Sequence, residues 1–492
     1  MRQSSWSDVA EPFVLAIDQG TSSTKAIAVA SNGTVLARGS APLELLTPRA
    51  GWVEHDPFAV LDSVRGALFN LEGQMQLSAA TCVGISNQRE SLLLWERATG
   101  NPVSPVISWQ DRRTVELAAD FSWAADEVRE ISGLPLDPMF SALKARWLLD
   151  TYDTQRVRAT AGELILGTID SWLLFSLTGE IGIESGNASR TSLVDLGTGE
   201  WSPRLLEVFS IPLATLPTIR DSVGVVGAVK DFAPLPPGIP VSGILGDSHA
   251  ALFSHAGWLP GIAKATYGTG SSVMALGVSG PGSVSGLCRT IAWRLPGCEP
   301  ALAWEANILS AGATIAWLAE ILDCSPTDLA AEAASHAEGV VIVPAFNGLA
   351  APWWDTEAQA LMTGLSLSTG RAQLARAALD SVVFQVCDVI AAMRDANCLP
   401  VRLIADGGIS SNGDVMNRQS ALSELIVAVS SVAEASALGA AHAAGLGIGF
   451  WDLGTLESLP RDYVEHFDSM TPELRSSLLH EWHQALALAQ SR

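Results

Sequence analysis

Lysine is scarce in this chain of 492 residues, occurring only as Lys25, Lys144, Lys230 and Lys264. Lysine and arginine together number 29 against 52 Asp and Glu, a formal net charge of -23. A surface of that sign repels polyanions, which argues against nucleic acid and anionic membranes as partners. Charge of either sign is also sparse, at 16% of residues, while 48% are hydrophobic. An average domain carries roughly 25% charged residues, so this composition excludes an unfolded chain. The six cysteines form no CxxC pair and have no local His partner. That spacing excludes the usual zinc motifs and a disulfide framework, and predicts reduced thiols in a cytoplasmic protein. Long apolar runs are missing too. The longest uncharged stretches, Gly339–Trp354 and Ala435–Trp451, are shorter than a membrane span and broken by Gly, Pro or His. Met1–Pro12 is polar and acidic, without the basic and apolar segments of a signal peptide.

What is present is an Ala- and Gly-rich chain long enough for two to four domains. Phe13–Ile17, Lys25–Ala30 and Thr34–Ala37 read as strands, with Asn32-Gly33 as a hairpin turn between the last two. Asp18–Thr24 turns the chain between the first two. The pattern returns at Lys264–Ala275, where two β-prone runs flank a turn built on Gly268-Thr269-Gly270. Two such units suggest related halves. Between and beyond them strands at Cys82–Ser86, Leu92–Trp95, Val241–Leu245 and Arg402–Ala405 mix with helical blocks. Those blocks fall at Ala59–Leu71, Leu143–Leu149, Asp170–Leu177, Gly312–Leu322, Thr327–Ser335, Arg371–Met393 and Val415–Leu425. The mixture indicates α/β architecture. A glycine- and proline-rich stretch at Ser254–Gly261 marks the expected boundary, giving domains 1–256 and 257–492.

Four clusters carry possible chemistry. In the first turn Gly20 permits tight backbone, Thr21, Ser22 and Ser23 supply hydroxyls, and Lys25 supplies a cation. Asp18 is placed to hold Mg²⁺ or its waters. Such a turn suits a polyphosphate, although GxxxxGK[ST] is absent and an ordinary polar hairpin is the competing reading. Asn87-Gln88-Arg89-Glu90 closes a buried strand, where α/β sheets bind ligands, and an Arg beside a Glu can hydrogen-bond the hydroxyls of a polyol. A solvated turn is the alternative. Trp109 suits the carbon face of such a ligand or simply the core. In Gly246-Asp247-Ser248-His249 the carboxylate can act as a base on a hydroxyl or cap a helix. His249 is a rival base. Finally, the double glycine in Asp406-Gly407-Gly408-Ile409-Ser410-Ser411-Asn412 would let a flat ring approach the backbone, with Asn412 on a base edge or Ser410, Ser411 or Asn412 capping the next helix.

In this order the motifs resemble the FGGY carbohydrate-kinase family, and within it the glycerol-kinase branch. The resemblance rests on LAIDQGTSSTKA, GWVEHDP, GISNQRE, ISWQDRRT, GTIDSWLLFSLTG, GNASRTSL, GILGDSHAALF, ATYGTGSS, VPAFNGLAAPWW, ADGGISSN and ALGAAHAAGLGIGFW. It implies two actin-like domains of the ribonuclease H type, closing around a cleft. It implies ATP as phosphate donor, with Asp247 as general base and Asp18 and Asp247 near Mg²⁺. Gly20 to Lys25 with Gly268, Thr269 and Gly270 would grip phosphates. Gly312, Gly408 and Asn412 would frame the adenosine, and Arg89, Glu90 and Trp109 would hold the polyol. Departures are confined. Lys25 stands where the branch has Arg, which keeps charge and loses bidentate contact. Met139 replaces a Tyr, Ser248 a Gln, Ser272 a Phe and Ala316 a Gln. Smaller side chains at Met139, Ser248 and Ser272 predict a substrate somewhat larger than glycerol. A pentulose kinase, a non-kinase actin-fold ATPase and a regulatory sugar-binding protein are the alternatives. A homodimer or homotetramer is expected from the same resemblance.

Overall fold

The computed structural model describes residues 11–277, 286–432 and 434–491. Residues 1–10, on which most of the reading of the N-terminus rests, lie outside it. The chain forms two compact units. It leaves the first at Ala256, then revisits it through Thr290–Ala301 and Glu434–Pro460, segments that a division into two consecutive stretches did not include.

The first unit is built on a sheet of six strands. Their spatial order is Val223–Ala228, Pro240–Gly246, Ala80–Asn87, Phe13–Gln19, Ser23–Val29 and Val35–Pro42. Phe13–Gln19 pairs antiparallel with Ser23–Val29 and parallel with Ala80–Asn87, which pairs parallel with Pro240–Gly246. Phe13 to Ile17 are buried on both faces, which is why this segment reads as a continuous apolar run rather than an alternating one. Phe13, Leu15 and Ile17 join Val60, Val64 and Leu68 of helix Pro57–Glu72 in one core cluster. Burying each such side chain contributes about 1.5–3 kcal/mol. Gly84 faces the other way and lies under helix Ala435–Gly447, close to the Ala440 carbonyl. Only small residues allow that approach, which explains the composition ASALGAAHAAGLG. A smaller antiparallel sheet orders Glu54–His55, Val106–Ile107, Leu92–Glu96 and Leu164–Thr168, next to helix Ser141–Tyr152.

The second unit repeats the plan. Its sheet of seven strands runs Cys288–Trp293, Ala301–Ile308, Ser271–Leu276, Ile262–Tyr267, Arg402–Asp406, Ile426–Ser430 and Tyr463–His466. Ile262–Tyr267 is again antiparallel to the strand that follows it and parallel to Arg402–Asp406. Helix Arg371–Asp395 supplies Leu379, Val382, Val383 and Val386 to the core beneath. The two halves are thus the ribonuclease H-like units that the sequence predicts. The expected helix at Thr327–Ser335 is shorter, Pro326–Ala331, because Ala334 N–H turns away to bond the Ala372 carbonyl at 3.0 Å.

Candidate functional site

In the first unit the turn between Phe13–Gln19 and Ser23–Val29 closes with Gly20 N–H on the Ser23 carbonyl, 3.0 Å. Asp18 and Lys25 face each other across this hairpin. Asp18 also lies beside Ser86 of the parallel strand, whose hydroxyl donates to Asp18 Oδ1 at 2.8 Å. Burial raises the Asp18 carboxyl from 3.8 to about 6; the Ser86 hydrogen bond opposes this and the charge of Asp247 adds to it. A buried carboxylate with a second carboxylate charge near it fits a divalent cation, which binds through one or two such groups and the phosphates of a substrate. Among the described residues no cluster of three or more His, Cys, Asp or Glu forms a metal cage.

Asp247 begins helix Asp247–Ser254 directly after strand Pro240–Gly246, where the helix N-terminus favours its charge. Arg89 follows the neighbouring parallel strand. Its Nε donates to Asp247 Oδ1 at 3.1 Å, its Nη2 to Ser248 Oγ at 3.1 Å and its Nη1 to His249 Nε2 at 3.4 Å. A Cβ at Gly246 would sit 2.5 Å from Arg89 Cδ, so glycine lets the buried arginine lie across the strand end. Asp247 Oδ1 also accepts from Ser248 N–H at 2.6 Å. Its side chain nevertheless remains 40% exposed, open to a ligand. His249 is fully buried with Nε2 turned to Arg89, so the rival base faces a protein donor.

Trp109 Nε1–H donates to Thr21 Oγ1 at 2.9 Å, joining the residue expected to hold the polyol to the turn after Phe13–Gln19. Ser22 is exposed and Thr21 half-buried. Glu90 is placed differently. Its backbone has φ 62°, and its carboxylate accepts from the buried Arg190 at 2.6 Å. Met139 lies half-buried before helix Ser141–Tyr152.

In the second unit Gly268 N–H bonds the Gly270 carbonyl at 2.9 Å. Helix Gly312–Ile321 starts on this turn, with Gly312 N–H on the Gly268 carbonyl and Ala311 and Ala313 N–H on the Thr269 carbonyl. A Cβ at Gly312 would meet the Gly268 oxygen at 2.7 Å, so Gly268, Thr269, Gly270 and Gly312 form one backbone-lined corner. Ala316 lies exposed further along that helix. Ser272 is half-buried and pairs with Thr266 across the hairpin. Gly407 has φ 92° and packs against Tyr267, whereas Gly408 is exposed with nothing within 4 Å of a Cβ position. Asn412 caps helix Gly413–Ser423, its Oδ1 accepting from Val415 N–H at 3.2 Å. The capping alternative therefore holds for that oxygen.

Sequence reasoning missed several partners. Ser86 on Asp18 and Arg190 on Glu90 sit inside motifs already noted, but their pairing needs three-dimensional register. Buried Lys264 pairs with half-buried Asp406 at 3.4 Å below the second turn, and Lys264 also donates to Thr266 Oγ1. The shortage of lysine was the available signal.

Residues 13–254 match the FGGY family of carbohydrate kinases, N-terminal domain, and residues 263–448 match its C-terminal domain. The chain belongs to this family. It is 41% identical over 493 residues to a glycerol kinase of Aromatoleum aromaticum, covering 97% of this chain and 99% of that one. A glycerol kinase of Methylobacterium radiotolerans is 40% identical over 468 residues, 92% of each chain. Among solved structures, Plasmodium falciparum glycerol kinase with ADP matches with a TM-score of 0.90 and 30% identity, covering 97% of this chain and 98% of that one. A xylulose kinase from Rhodospirillum rubrum has a TM-score of 0.85 at 24% identity, covering 97% and 98%, which speaks for the fold alone. This FGGY kinase is thus an ATP-dependent, glycerol kinase-like phosphotransferase with an alcohol acceptor. No described helix is long and apolar enough to cross a membrane.

Proposed function

We propose that this FGGY kinase transfers the ATP γ-phosphate to a terminal hydroxyl of glycerol or a somewhat larger polyol. The observation that carries this reading is the Arg89–Asp247 pair at 3.1 Å, where an exposed carboxylate is oriented by a buried guanidinium at the ends of two parallel strands. Asp247 accepts the hydroxyl proton as that oxygen attacks phosphorus in line. Arg89 holds the carboxylate in one orientation and, with Trp109, Met139, Ser248 and the edge of Glu90, receives the polyol. The turn at Gly20–Ser23 offers the hydroxyls of Thr21, Ser22 and Ser23 to phosphate oxygens, and the side-chain-poor corner of Gly268, Thr269, Gly270 and Gly312 lets phosphate approach the backbone closely, with Lys25 adding positive charge. Gly408, Asn412 and Ala316 frame the adenosine, and Ser272 lies next to the second turn. Asp18 and Asp247 would hold Mg²⁺, which neutralises charge on the phosphates when bound.

Met139 and Ser248 favour an acceptor beyond three carbons, since they leave room and remove polar partners where a small ligand would need close packing. An acceptor panel of glycerol, tetritols, pentitols and pentuloses, scored by kcat/KM, tests the reading. A polyol, with a tetritol or pentitol at least equal to glycerol, is expected. Preference for a pentulose by a wide margin would overturn it, and dominance of glycerol would remove the size argument.

A further inference from the structure

We propose that Lys144 is a positioning residue of the polyol site, fixing the Met139 backbone in the arrangement that selects the acceptor. The inference rests on the reading that Glu90 and Met139 face the polyol.

One of only four lysines in the chain is fully buried here. Lys144 lies near the start of helix Ser141–Tyr152, the end whose dipole disfavours a cation. Burial draws its ammonium down to about 8, while Glu90, Asp111 and Asp137 hold it up and Arg112 pushes it down. An amine kept against both burial and dipole needs a compensating task.

Neutralising those acids is not that task, because each already has an arginine. Glu90 pairs with Arg190 at 2.6 Å, Asp111 with Arg113 at 2.8 Å and Asp137 with Arg112 at 3.3 Å. What Lys144 adds is a hydrogen bond from Nζ to the Met139 carbonyl. On its other side the Met139 N–H donates to Asp137 Oδ1 at 2.8 Å. The backbone of Met139 is therefore clamped at both ends. The same helix start holds Glu90, since Ser141 Oγ donates to the Glu90 carbonyl at 2.9 Å. With φ 62°, Glu90 has a backbone that L-residues rarely adopt without such support. One helical turn thus grips two residues of the proposed acceptor site.

Steady-state kinetics on the full chain test this, using the best acceptor of the wild-type panel. Lys144→Met is expected to raise the acceptor KM at least tenfold, leave the ATP KM within twofold and change kcat less than threefold. Lys144→Ala should do the same, and propylammonium in the assay should bring its acceptor KM back toward wild type. An unchanged acceptor KM, a parallel rise in both KM values, or no effect of the amine would overturn the proposal. If the Met and Ala variants do not fold, Lys144→Gln, whose amide nitrogen lies one bond short of the Nζ position and does not reach the Met139 carbonyl, carries the test through the same selective rise in acceptor KM. Wild-type protein that phosphorylates no polyol would instead refute the functional reading, before any variant is made.

Discussion

The two hairpins at the heart of the two units have the same register and opposite chemistry. In the first, Asp18 faces Lys25 across the hairpin and Ser86 on the parallel neighbour. In the second, Thr266 occupies the place of Asp18, Ser272 that of Lys25 and Asp406 that of Ser86. Acid and hydroxyl have exchanged strands. The first hairpin carries charge on its own arms, next to the exposed carboxylate of Asp247. The second presents hydroxyls and backbone, while its acid is neutralised underneath by buried Lys264. On the proposed roles, a repeated fold is divided between two tasks: proton and metal work on one side, and neutral cradling of phosphates on the other. The low lysine content makes the division visible, because two of the four lysines, Lys25 and Lys264, lie at or below these hairpins.

The strongest test of that division removes the acid. Asp247→Asn should lower kcat by roughly a thousandfold, in the range for loss of a general base, with acceptor binding retained by calorimetry. Turnover near wild type would place the base elsewhere. A smaller effect is expected from making the second hairpin resemble the first. Thr266→Asp sets a carboxylate beside Asp406 and should raise the ATP KM about tenfold, equivalent to about 1.4 kcal/mol of repulsion. An unchanged ATP KM would show that phosphates do not sit over this turn.

The smallest effect concerns stability. Asp18 ionises near 3.8 in an unfolded chain and near 6 in the folded protein. The folded state thus binds its proton more tightly. That contribution is complete below about pH 4 and is lost as pH rises through 6, leaving an ionised carboxylate that costs stability above it. Asp18→Asn should stabilise the ligand-free protein by about 1–2 kcal/mol at pH 8 and not at all below pH 4. Denaturant melts at the two pH values check this, and equal gains at both would contradict the assigned shift.

Much of this was legible in the sequence because the signals are local. Apolar runs broken by polar glycine turns give the hairpins, and Asn32-Gly33 turns where expected, with Gly33 at φ 83°. The strand ends that carry Arg89 and Asp247 follow from buried runs closing in polar residues. The rest depends on register and packing. Nothing local tells that Arg190 reaches Glu90, a hundred residues away, or that Ser86 rather than a nearer hydroxyl bonds Asp18. The return of Glu434–Pro460 to the first unit was hidden for the same reason. An Ala-Gly helix has no strong apolar stripe, and its fit to Gly84 is a matter of shape. Asn412 had two readings in sequence, and only geometry shows its oxygen on the helix cap.

The central claim is that the group leaving ATP goes to an alcohol and not to water. Phosphorus NMR of wild-type protein with ATP, Mg²⁺ and the panel polyols tests it most directly. The account predicts a phosphomonoester signal that grows in step with ADP and only when a polyol is present. Inorganic phosphate forming at the same rate with and without polyol would contradict it.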